Sequence, residues 1–319
     1  MHLKTFLLTL AGVVLLSSTA IAQTVGIGGT KSGYTSQASA AISKVISTKT
    51  DIQMRVQPYG GSSAYVPLVS GGKLEFALAN EIEAASAVTG TGIYDGRPQP
   101  DLQVAALLQP FRVAVYTRKD SKIRTVKDLK GKRVPSGWVS QKIIGVLMDG
   151  QLANAGLTYD DVTKVPTPNV VGGANDFAAG KADVFFFVFG AGKVKETDAK
   201  VGGIRVVGID PSPEAVERMR KHVGPSYALL VKPSKANVGV EEPVNVMAYD
   251  YLMLTNGKVS PDVVYKVVKT MHENKKDLVA AFRGMNLFSP SHMTKKIPGV
   301  EFHEGAIRFY KEIGQWPPK

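Results

Sequence analysis

Cysteine is absent from all 319 residues. This excludes disulfides, thiolate nucleophiles and thiolate metal sites, and it removes the cysteine on which a lipoprotein anchor depends. Histidine is scarce, and His222, His272, His292 and His303 are not at metal-ligand spacing from one another. There is no Gly-x-Ser-x-Gly. The single Ser-x-x-Lys string, from Ser70 to Lys73, passes through Gly71-Gly72, a turn that keeps serine and lysine off one helix face. Catalytic residues, metal ligands and cofactors are each expected to be none. No basic run is interleaved with aromatics, which argues against nucleic acid as a partner. Long apolar runs are also missing, apart from residues 6–16, and that run is shorter than the roughly 20 residues a membrane span needs.

That one run has the features of a secretory signal over residues 1–22: Lys4 precedes it, and Ala20-Ile21-Ala22 offers a small-residue cleavage site. An exported, periplasmic chain that is not embedded in a membrane follows from this reading, and a monomer is expected. The formal charge of +12 suits attraction to an anionic solute or to an acidic patch on a partner.

Val25 to Tyr34 (VGIGGTKSGY) reads as a short strand that breaks into a glycine-rich loop and opens a helix. Glycine allows close backbone approach, the helix start leaves N–H groups unpaired, and Lys31 adds a positive charge, so the loop is a cradle for an anion. A dinucleotide fingerprint does not fit, because Lys31 stands where a third glycine belongs.

Helical spacing over residues 34–47, a β-type run at 52–57, a break at Pro58 to Ser63, a short helix at 64–69 and a buried strand at 74–79 give an α/β rhythm with parallel strands. In such sheets ligands collect at the carboxyl ends of the strands. Two apolar stretches follow, 102–108 and 113–116, the second read as a crossover. The α/β rhythm then repeats, with strands near 134, 165, 184–189 and 204–209 and helices at 142–155 and 170–179. Residues 227–231 read as the strand returning to the first domain, and helical patterns are assigned to 244–254, 261–274, 276–284 and 301–313. The reading is one lobe of residues 23–112 and 231–319, with a second lobe, 113–230, inserted between two hinge crossovers.

Gly28-Gly29-Thr30, Gly60-Gly61-Ser62 through Ala79, Asp128 to Val134, Gly180-Lys181-Ala182-Asp183 with 185–190, Val263 to Lys266 and Phe302 to Glu312 occur in an order that resembles the TAXI solute-binding proteins of tripartite ATP-independent periplasmic (TRAP) transporters. The resemblance implies an α/β, two-lobed type II periplasmic-binding fold and no enzymatic activity. It further implies capture of a small carboxylate (amino acid, keto acid or dicarboxylate) and delivery to TRAP membrane subunits, as a fused permease. A sensing subunit acting on a membrane histidine kinase is the alternative, and a hydrolase on the same scaffold a third.

The ligand-binding residues expected on this reading lie in loops. Gly29, Thr30, Lys31, Ser32 and Tyr34 form the first loop, and Gly61, Ser62 and Ser63 a helix start whose spare N–H groups could face a carboxylate. Asn80 ends a buried strand, where it either reads substrate or caps the next helix. Ser136, Trp138, Ser140 and Gln141 would supply the opposing lobe, with Trp138 as a lid or stacking surface. Phe187 and Gly190 would line the cleft beside the apolar strand.

Overall fold

The computed structural model describes residues 23–318; the signal segment read at 1–22 lies outside them. The chain begins with β1 (Gln23–Thr30), α1 (Tyr34–Lys49), β2 (Ile52–Tyr59), α2 (Ser62–Ser70), β3 (Phe76–Asn80) and α3 (Glu81–Thr89). Strands β1, β2 and β3 run parallel. Helix α1 covers them because Ala38, Ala41, Ile42, Val45 and Ile46 recur on one face and are buried. Helix α3 starts at Asn80, whose Oδ1 accepts from the Glu83 N–H at 2.7 Å, and stops at Gly90, which takes the left-handed conformation.

Residues 102–118 form one long strand, β4 (Leu102–Arg118), rather than two. The second lobe then adds β5 (Arg133–Gly137), α4 (Ile143–Asn154), β6 (Thr163–Thr167), α5 (Val170–Ala178), β7 (Val184–Val188), α6 (Gly192–Val201), β8 (Ile204–Val207), α7 (Pro213–Arg220) and β9 (Tyr227–Val231). The stretch read as a helix at 244–254 is instead a strand, β10 (Val244–Asn256). From Val246 onward it is buried without interruption, so it shows no polar alternation to reveal its period. Helices α8 (Pro261–Glu273), α9 (Lys275–Ala281) and α10 (Glu304–Glu312) complete the chain.

The sheet order is β2-β1-β3-β10-β4-β7, with β8 also on β4 and β9 also on β10. Both long strands serve both lobes. The C-terminal part of β10 pairs with β3, while its start, Val244–Ala248, pairs with β9. β4 pairs with β10 along most of its length and then, at 113–118, with β7 and β8. Residues 227–231, read as the returning strand, form β9 and pair antiparallel with the start of β10. The β4/β10 pair forms the hinge, and its register shifts at Tyr251/Leu252 and Met253/Leu254. No helix among the described residues is long and apolar enough to cross a membrane.

Candidate functional site: a cavity between the lobes

Thr30 ends β1 buried, and its hydroxyl donates to the Ser32 carbonyl at 2.8 Å, folding the loop onto itself. The Lys31 N–H donates to the Tyr59 carbonyl at 2.9 Å, pinning the loop to β2 and leaving the Lys31 side chain exposed. Gly33, at φ 87°, makes a turn that a Cβ would strain, and α1 begins with no side-chain cap. The N–H groups of Tyr34, Thr35 and Ser36 have no partner among the described residues.

This bare helix start is clamped from behind. The Tyr34 hydroxyl donates to the Gly284 carbonyl at 2.9 Å and accepts from Gln109 Nε2 at 2.6 Å, and the Thr35 and Tyr251 hydroxyls meet at 2.6 Å. Phe111 stacks on Tyr251 at 4.3 Å and meets Tyr34 edge-on at 4.9 Å. Burial pushes the Tyr34 and Tyr251 hydroxyls far above the usual tyrosine range, so both keep their protons.

Thr30, Ser32, Tyr34 and Thr35 form one wall of a cavity of about 60 Å³. Hinge residues Phe111, Val113 and Tyr249 form its floor, and Gln141, Ile144, Val170 and Phe187 form the wall of the second lobe. Val170 is the first residue of α5. Asn169 caps that helix by accepting from the Gly172 N–H at 2.9 Å, Gln141 Oε1 accepts from the Val170 N–H at 3.1 Å, and the Val171 N–H has no partner among the described residues. The start of α1 and Val170, the first residue of α5, thus line one pocket between the lobes, and both helix N-termini favour negative charge beside it.

The space holds no more than a few waters. A larger ligand requires the lobes to part; separate grooves of about 280 and 380 Å³ flank the cavity. A wider recess, about 770 Å³, lies at the outer end of the second lobe. All its residues lie within 117–183, where Arg133 and Asp183 neutralise each other at 2.6 Å, so lobe movement cannot act on it.

Of the residues expected at the site, Thr30, Ser32, Tyr34, Gln141 and Phe187 meet at the central cavity. Gly29 lies in β1 just before it, and Lys31 lies outside its lining. Gly61 abuts the backbone of Ser140 and Gln141 so closely that an added Cβ would clash with the Ser140 carbonyl. Ser63 and Ser140 line the smaller flanking groove, and Gly190 the larger. Ser62 is buried near Glu83 at the start of α2, and Ser136 is buried in β5. The Asn80 amide oxygen is engaged as the cap of α3.

Trp138 is no lid. Only 1% exposed, it has its Nε1 donating to the Tyr159 hydroxyl at 3.0 Å, and its ring lies against Gly145 within the second lobe. The aromatics Phe111 and Tyr249 were not legible, since only the β4/β10 pairing brings them to the cavity. Val170 was better signalled, because Asn169 before an apolar run marks a helix N-terminus.

Solved proteins with the same fold include PhnD1 from Prochlorococcus marinus, in complex with methylphosphonate: 11% identity over 92% of this chain and 99% of that one, with a TM-score of 0.57. The ligand-binding component of an ABC-type import system from Staphylococcus aureus is 9% identical over 93% and 94%, with a TM-score of 0.54. ArgBP from T. maritima is 13% identical over 82% and 95%, at 0.50. These likenesses give the fold, a two-lobed type II periplasmic-binding architecture. The NMT1-like family model matches residues 23–314, nearly all that the structure describes, and the chain belongs to that family.

Proposed function

We propose that this chain is an extracytoplasmic receptor that closes its lobes over a small organic anion and presents it to the membrane subunits of a transporter. The observation that carries this reading is the convergence of the α1 and α5 N-termini on one cavity. A ligand held by both lobes stabilises the closed form, since only differential affinity shifts such an equilibrium. Micromolar binding requires about 8 kcal/mol, and a hydrogen bond to a charged group contributes about 1.5 to 3 kcal/mol. The free N–H groups of Tyr34 and Thr35, with the Ser32 hydroxyl, line the cavity and offer such contacts, against which ordering costs are set. A protein of the same fold holds methylphosphonate, another small anion.

A carboxylate is the proposed ligand, and the ordered sequence segments favour TRAP subunits as the partner. An ABC-type importer component shares the fold, and fold alone does not separate the two transporter classes. Thermal-shift screening of monocarboxylates, dicarboxylates, keto acids, amino acids, sulfonates and phosphonates tests the proposal. A true ligand at about a hundred times its Kd adds about 2.7 kcal/mol of stability. Dose-dependent stabilisation by one acid is expected, and uniform silence from ligand-free protein would count against the function.

A further inference from the structure

The larger flanking groove carries a charge pattern that the central cavity lacks. Arg112 of β4 lies in its floor, Lys195 of α6 enters from the second lobe, Arg283 from the segment after α9, and Lys235 from the connection between β9 and β10. None of the four is paired with a carboxylate among the described residues, and none of the groove's lining residues is acidic.

Arg112 is the telling member. It is half-buried, its guanidinium lies 5.3 Å from the centre of the Phe189 ring, and Tyr34 and Tyr116 are its polar neighbours. Burial lowers its pKa, and both tyrosines keep their protons, so neither supplies the missing negative charge. A cation withdrawn from water without a counter-charge is costly. Lys195 and Arg283, like charges from opposite sides, line one groove.

We propose that this groove is a second binding site, for a small multiply charged oxyanion, distinct from the central cavity. The Tyr34–Gln109–Gly284 hydrogen bonds form the partition: Tyr34 lines the cavity, and Gln109 and Gly284 line the groove. The groove, at about 380 Å³, is larger than one phosphate or sulfate group, so the choice of a compact oxyanion rests on its unpaired, half-buried cation and not on its size. A planar guanidinium in such a position offers bidentate contact to an oxyanion.

Calorimetric titration of the mature chain with inorganic phosphate, and separately with sulfate, tests this. Saturable binding is expected that sodium chloride at equal ionic strength does not reproduce. Arg112→Gln should weaken it more than tenfold, as should the combined exposed-rim variant K195Q/K235Q/R283Q, which decides the matter if R112Q fails to fold. Ser32→Phe, which fills the central cavity, should leave the groove's affinity within twofold. The proposal is overturned by absence of binding, by equal effects of chloride, by loss in S32F with retention in R112Q, or by a poly-glutamate chain binding where phosphate does not.

Discussion

Glu83 is fully buried with no cation beside it. One carboxyl oxygen accepts from the Tyr94 hydroxyl at 2.9 Å and the other has no partner among the described residues. Burial raises its pKa, outweighing the nearby Ser62, Ser63 and Tyr94 hydroxyls that favour the charged form. The folded chain therefore holds this proton at pH values where the unfolded chain has released it, so stability is greatest below the ordinary glutamate pKa and is lost as pH rises through the raised folded value. Glu83→Gln keeps an acceptor for Tyr94 and removes the titration. Denaturant unfolding at pH 5 and pH 8 should show E83Q losing less stability than the native chain between the two, and the more stable of the pair at pH 8. Parallel profiles would assign Glu83 another role. Single residues were also where the sequence was hardest to read. Asn80 carried both a capping and a binding interpretation, and the Glu83 N–H takes up its amide oxygen. The loop position of Trp138 suggests a ligand surface, but it says nothing about which side of the chain an indole packs on, and this one is buried against Tyr159.

Among the elements, short strands and amphipathic helices could be read directly, since their period separates a buried face from a wet one. α1 and the short helix from Val170 gave themselves away for that reason. β10 did not, because a strand buried on both faces loses its alternation. Contacts between elements of different lobes leave still less trace. Gly61 is one of these: its φ of −176° is accessible to any residue, so its lack of a side chain serves only the approach of the Ser140 backbone. Gly61→Ala should prop the lobes apart while leaving each intact. Its thermal midpoint without ligand should move little, whereas affinity for the cavity ligand should fall by about tenfold or more, roughly 1.4 kcal/mol. Unchanged affinity in G61A would mean that closure at this contact is not needed for binding.

At the scale of the whole molecule, α/β order and the two-lobed plan followed from the rhythm of the sequence and its family resemblance, while the cavity followed from the pairing of β4 with β10. That pairing aligns the first loop of one lobe with the first turn of α5 in the other. The proposed function requires that a bound anion engage both at once. Backbone hydrogen–deuterium exchange, with and without a stabilising acid, reports this most directly. Slowed exchange is expected together at Tyr34, Thr35 and Ser36 and at Val170 and Val171; protection confined to one lobe, or absent from both, would contradict it.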